Sequence, residues 1–159
     1  MVTKSIVPFA ALLFLSGCNE ATAPPTPATV TEAEAGQVFD AALSAWQSMD
    51  AAKMKALYAP DFAGFDFSLA PLITDRAEWD KVEDAFAAAK VDSLDITAKK
   101  IHLLGPDAFV VDFYADATST ALPQNNGGIR CTDVFHRDAA GAWLIVAEHC
   151  SVPPEAPDG

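Results

Sequence analysis

Basic residues are scarce in this chain: 10 Lys and Arg stand against 22 Asp and Glu, for a net charge of −12. Phosphate backbones and anionic lipid faces are bound by Lys and Arg, so this balance argues against nucleic-acid binding and against a face that lies on a membrane. Its simplest consequence is solubility. Histidine is equally sparse, and His102, His136 and His149 are far apart in sequence. Cysteine occurs only at positions 18, 131 and 150, with no Cys-x-x-Cys pair, so no metal site is expected. A Gly-rich phosphate loop and a Gly-x-Ser-x-Gly elbow are both missing, and no cofactor is implied. No internal repeat is present. The one long apolar run, residues 6–15, is too short to span a bilayer as a helix of about 20 residues.

That run has another meaning. Lys4 precedes it, Ser16 and Gly17 are small, and Cys18 follows at once. A positive start, an apolar stretch and a small-residue exit form a secretory signal. Leu15-Ser16-Gly17-Cys18 resembles the lipobox of bacterial lipoproteins, which implies cleavage before Cys18 and its acylation. Several acyl chains, at about 0.8 kcal/mol per buried methylene, anchor a chain almost permanently. The signal then covers residues 1–17. Residues 18–32, with Pro24, Pro25 and Pro27 among Ala and Thr, read as a flexible tether. Residues 33–153 form one domain, and 154–159 a flexible tail. Asn19 is not the aspartate that lipoproteins use for inner-membrane retention, which favours the outer membrane, facing the periplasm.

Within the domain, Thr31-x-x-Glu34 has capping-box spacing, and Val38, Phe39, Ala42, Leu43 and Trp46 recur at helical intervals. A short second helix is expected to carry Met54, Leu57 and Tyr58 and to end at Pro60, followed by an extended segment over 62–67. Asp75-x-x-Glu78 opens a third helix with Trp79, Val82, Phe86 and Ala89 on one stripe. Beyond Val91 the period becomes two. Leu94, Ile96 and Ala98 alternate with polar residues, and Lys99-Lys100 breaks phase as a bulge would. Strands follow over 108–118, 129–137 and 142–152, the last two joined by a turn at 138–141 with Gly141 placed for positive φ. Helices followed by antiparallel strands give an α+β domain.

Alternation assigns the faces. Phe109, Val111, Phe113 and Ala115 share one side with Ile129, Cys131, Asp133 and Phe135. Leu144, Val146, Glu148 and Cys150 continue it, and this more apolar side is placed under the helices. Asp112, Tyr114, Arg130, Thr132, Trp143 and His149 fall on the other side, which suits a dimer seam better than an anion or proton-transfer site. The two thiols left after acylation of Cys18 sit near each other. An exported protein favours their disulfide, while the expected diagonal placement leaves its geometry open.

Tyr58-Ala59-Pro60-Asp61 with Asp66, and the run from Arg130-Cys131-Thr132-Asp133-Val134-Phe135 through Gly141-Ala142-Trp143 to His149-Cys150-Ser151, resemble the nuclear-transport-factor-2-like superfamily. That group includes ketosteroid isomerases and SnoaL-like polyketide cyclases. The resemblance implies a cone, with helices and a curved antiparallel sheet enclosing a pocket, and commonly a homodimer. It places Asp66 at the general-base aspartate of a ketosteroid isomerase. It places Asp133 at that enzyme's protonated aspartic acid, which its apolar site keeps neutral at pH 7. The tyrosine that completes that site should fall near residues 41–43, where this chain has none, so steroid isomerisation is not expected.

The residues add Glu148, which should lie across the hairpin from Asp133. Two carboxyls under helices cannot both ionise cheaply, and such a pair suits acid–base work. Alternatively, both acids open to water or bond nearby donors. Asp66, Asp133 and Glu148 are expected to converge on a cavity walled by Trp46, Trp79, Val111, Phe113 and Phe135. Three functions stay open: binding of a small apolar or amphipathic molecule, an isomerase- or cyclase-type enzyme, and an interaction module using the open sheet face.

Overall fold

The computed structural model describes residues 29–66, 71–120 and 126–153. The expected export signal, Cys18, the expected tether up to residue 28 and the expected tail at 154–159 lie outside the described residues. The end of the expected tether is already part of the domain. Val30 is buried, and its N–H donates to the Pro106 carbonyl at 2.9 Å.

Three helices form where caps and stripes place them. Helix α1 spans Glu32–Gln47, and the Thr31 hydroxyl accepts from the Glu34 N–H at 3.1 Å. Helix α2 is only Ala51–Lys55, capped by Asp50. It is shorter than expected, because Tyr58 and Pro60 belong to the strand β1, Tyr58–Phe65. That strand lies at an edge of the sheet with its register shifted between Tyr58 and Ala63, a position where a proline without an N–H is tolerated. Helix α3, Arg76–Ala88, begins at Asp75, whose carboxylate accepts from the Ala77 N–H at 2.8 Å.

Strands β2 (Ser93–Leu103), β3 (Ala108–Thr118), β4 (Gly127–Arg137) and β5 (Trp143–Ser151) complete one sheet in the order β1-β5-β4-β3-β2. The last four pair antiparallel, as the turns between them require. The added strand β1 runs parallel to β5, so the sheet is mixed, curved and open rather than closed into a barrel. Gly141 has φ +89° in the β4–β5 turn, where its freedom is needed.

Two bulges reset the faces. In β2 the shift falls between Ile96 and Ala98, at Thr97, not at the Lys99-Lys100 pair. Lys99 thereby turns toward α1 and meets Asp40 at 2.8 Å. In β5 the shift pairs Phe135 with Ile145 and Val134 with Ala147, leaving Val146 as the extra residue. Ile145, rather than Leu144 or Val146, is therefore the buried residue of this strand's first half.

The core fills the space between the helices and the inner sheet face. Phe39, Phe62, Trp79, Phe109 and Phe135 are its largest fully enclosed rings. Each contributes about 1.5–3 kcal/mol by leaving water. Phe109 and Phe135 stack at 4.7 Å with planes 7° apart, as neighbours across β3 and β4.

Candidate functional site

Four acids and one phenol gather where the sheet meets α3. Asp133 on β4 faces Glu148 on β5 directly, and Cys131 faces Cys150 one step along the same ladder. The bulge at Val146 produces this alignment, where straight alternation sets the cysteines diagonally. Their Cα atoms are 4.2 Å apart and a disulfide joins them.

Tyr58 reaches the cluster from β1, donating its hydroxyl to Glu148 Oε2 at 3.0 Å. The other oxygen, Glu148 Oε1, lies 3.4 Å from the Cys150 sulfur. A disulfide sulfur carries no proton, so only a proton on Glu148 can turn that contact into a hydrogen bond. Glu83 arrives from α3, one turn beyond Trp79, and is only 4% exposed. Asp133 is fully enclosed at 0%. Among the described residues, Glu83 Oε2, Trp79 Nε1 and both Asp133 carboxyl oxygens have no partner at hydrogen-bond distance, although Tyr58 and Trp79 stand near enough to Glu83 to favour its charged form.

Burial decides the protonation of these acids. It pushes Glu83 up to about 7, against the opposing influence of Tyr58, Arg76 and Trp79. Asp133 is raised well above the ordinary carboxyl range by burial, then by Glu83 and Asp112. Glu148 is raised well above it by burial, then by Asp133 and Glu83, although Tyr58 favours its charged form. Burial and the same acids raise the Tyr58 phenol well above its ordinary value. The site thus holds two carboxyls raised toward the neutral form beside Glu83, which titrates at about 7, a set able to donate, accept and exchange protons.

A cavity of about 60 Å³ opens on this cluster, with Tyr58, Glu83 and Glu148 in its wall beside the disulfide. Trp46, Trp79 and Phe113 line it as expected, joined by Phe86 and Leu94. Val111 and Phe135 do not line it. They are packed inside the core, Phe135 against Phe109. Asp66, half-buried just past the end of β1, stands at the rim. From there a wider cleft of about 1010 Å³ leads outward, sharing Asp66, Val82, Phe86 and Ile129 with the inner cavity.

A metal fits this site poorly. Asp133, Glu148 and Cys150 bring potential ligand atoms within 4.8 Å of one another. Cys150 is tied up in the disulfide and offers no thiolate, and the remaining pair of acids is raised toward the neutral form.

Asp133 and Glu148 therefore meet as placed from the sequence, and Asp66 stands nearer the mouth. Two further members escape a reading of the sequence. Glu83 is four residues after Trp79 and three before Phe86, so the helical stripe itself marks it as inward-facing. Helical spacing assigns Tyr58 to a helix, which hides its place on β1. The position expected for a tyrosine on α1 is held by Ala42, buried in the core.

The outer sheet face carries Asp112, Tyr114, Arg130, Thr132 and His149 around a shallow hollow. Thr132 donates to Asp112 at 2.6 Å, and Arg130 donates to Ser151 at 2.8 Å. Trp143 is not part of this face. The β5 bulge turns it inward, where its indole N–H donates to Glu34 at 3.2 Å and its ring meets Phe109 at 5.0 Å.

The architecture has solved relatives. An NTF2-like protein of unknown function from Pseudomonas putida is 20% identical, with a TM-score of 0.67 over 79% of this chain and 89% of that one. A candidate ketosteroid isomerase from Parabacteroides distasonis is 19% identical, with a TM-score of 0.64 over 74% and 86%. A candidate dehydratase of the NTF2-like family from Streptomyces avermitilis is 18% identical, with a TM-score of 0.65 over 76% and 94%. At these identities the likeness concerns the fold alone. No curated protein matches this chain in sequence. The SnoaL-like domain family model matches residues 36–155, which takes in most of α1, every later element and the whole acid cluster. With that match over residues 36–155, and a fold shared with the NTF2-like structures above, the chain belongs to the SnoaL-like domain family.

Proposed function

We propose that this chain is an envelope lipoprotein, held to the membrane through Cys18, whose SnoaL-like domain binds a small amphipathic molecule. Its apolar body would occupy the outer cleft, against Leu72, Ile73, Val82, Phe86, Val91 and Ile129. Its polar head would enter the inner cavity and meet Tyr58, Glu83 and Glu148. The observation that carries this reading is a cluster of acids, Glu83 and Asp133 buried and Glu148 half-buried, beside an apolar cleft. An apolar entrance with a few convergent polar groups is the usual build of a small-molecule site. Glu83 Oε2 is buried without a partner at hydrogen-bond distance, which is costly, and a ligand that bonds it offsets that cost. Native mass spectrometry of the delipidated domain, purified from its own envelope, tests the reading. A co-purifying small molecule is the expected result, and a ligand-free mass in every preparation would contradict it.

A second reading, proton transfer at a carbonyl-adjacent carbon, draws support from one specific feature. Asp133 and Glu148 lie opposite each other and are raised well above the ordinary range, while Glu83 is raised only to about 7. Acids that titrate apart supply a donor and a base in one cavity. Turnover of the co-purified molecule, abolished by Glu83→Gln, would favour the enzyme over the binding domain.

A further inference from the structure

We propose that the inner cavity is built for an organic cation, specifically the –NH₃⁺ head of a primary alkylamine. This deepens the ligand-binding reading and rests on it.

The charge of the cavity is one-sided. Asp66, Glu83 and Glu148 line it, and among the described residues no Lys, Arg or His does. Asp133 lies beside Glu148 on the neighbouring strand, and neither of its oxygens has a partner at hydrogen-bond distance. An anionic head would set its charge beside Glu83, which titrates at about 7, with no cation in the wall to meet it. Arg76 is the cation beside the cluster, with its guanidinium 5.5 Å from the Tyr58 ring centre. It is already engaged by the Asp80 carboxylate and the Lys55 carbonyl. Among the described residues, no other cation is placed to neutralise the cluster.

Shape and chemistry agree with a primary ammonium. A space of about 60 Å³ takes a few water-sized groups, enough for a head but not for a ring system. The rest of its wall is aromatic, with Trp46, Tyr58, Trp79, Phe86 and Phe113. Aromatic faces attract cations, most strongly where water is excluded. An ammonium has three N–H donors and no acceptor. Glu83 Oε2 is an enclosed acceptor with no partner at hydrogen-bond distance, and Glu148 Oε2 and the Tyr58 oxygen line the same space. A neutral head satisfies the hydrogen bonds but leaves the acids protonated. The cation allows one of them to ionise, and burial makes that ion pair strong.

Binding must then displace a proton, and its direction follows. The groups facing Glu83 are Tyr58 from β1, Arg76 and Asp80 on its own helix, Asp133 from β4 and Glu148 from β5. With Glu83 titrating at about 7, ammonium affinity should rise about tenfold per pH unit up to that point and level off above it.

The test is calorimetric titration of the delipidated domain with three ligands that share one tail: n-hexylammonium, n-hexanol and n-hexanoate. The ammonium should bind at least about tenfold more tightly than the alcohol at pH 8, lose that margin toward pH 5, and leave hexanoate without measurable binding. Glu83→Gln should cost hexylammonium at least about tenfold while sparing hexanol. Glu148→Gln provides a second variant if the first fails to fold. Equal binding of alcohol and ammonium would overturn the cation and leave the amphipathic-ligand reading standing. Binding of none of the three would count against both.

Discussion

Replacing Glu83 with Gln should make the domain more stable at neutral and alkaline pH, although it removes a buried side chain's native chemistry. Glu83 is 4% exposed and its carboxyl is raised from 4.5 to about 7. Below pH 4.5 the group is protonated in both folded and unfolded chains, and its contribution to stability is fully present. Between 4.5 and about 7 the unfolded chain releases the proton while the folded one keeps it, so stability falls as pH rises. Above about 7 the loss is complete, and the size of the shift makes it about 3 kcal/mol. Gln has nearly the same shape and never ionises. It also removes a charge that opposes ionisation of Asp133 and Glu148, which acts in the same direction. Urea unfolding of the delipidated wild-type and Glu83→Gln domains at about pH 4.5, 6 and 8 measures the effect. The stability difference should move toward the variant by about 3 kcal/mol across that range. A difference constant to about 0.5 kcal/mol would refute the claim that burial keeps Glu83 protonated.

Other consequences concern the anchor, the disulfide and the sheet face. Cys18→Ser should release the chain into the soluble fraction or leave an unprocessed precursor, and a processed chain still in the membrane fraction would contradict lipidation. Breaking the Cys131–Cys150 bridge, which closes a loop with a sequence separation of 19, should cost about 3 kcal/mol in denaturant unfolding, and unchanged stability on reduction would argue against it. The face around Asp112, Tyr114, Arg130, Thr132 and His149 should pair with a second copy about a two-fold axis. Sedimentation of a monomer at tens of micromolar would remove that claim.

Much of this arrangement is legible in the residues because side-chain alternation is strict. Asp133 is set inward by its neighbours Cys131 and Phe135, and Val111 opposite it confirms the phase. Alternation misleads where the backbone departs from it. Val146 is an ordinary apolar residue, and nothing about it announces the bulge that turns Trp143 inward and aligns the two cysteines. Tyr58 escapes for a different reason. Met54, Leu57 and Tyr58 have helical spacing, but the chain leaves α2 at Lys55 because the parallel pairing with β5 claims the residues from Tyr58 onward. Glu83 is a conflict between two signals. Its stripe position faces inward, while its charge argues for solvent, and the cluster it joins is what lets an acid occupy that place.

Carboxyl ¹³C NMR titration of the delipidated domain tests the central claim most directly, because the proposed pocket depends on acids held neutral in the protein interior. Asp133 and Glu148 should titrate well above the ordinary carboxyl range, and Glu83 at about 7. If all three carboxyls ionise in the ordinary range below about pH 5, the cluster is open to water and the account of the site is wrong.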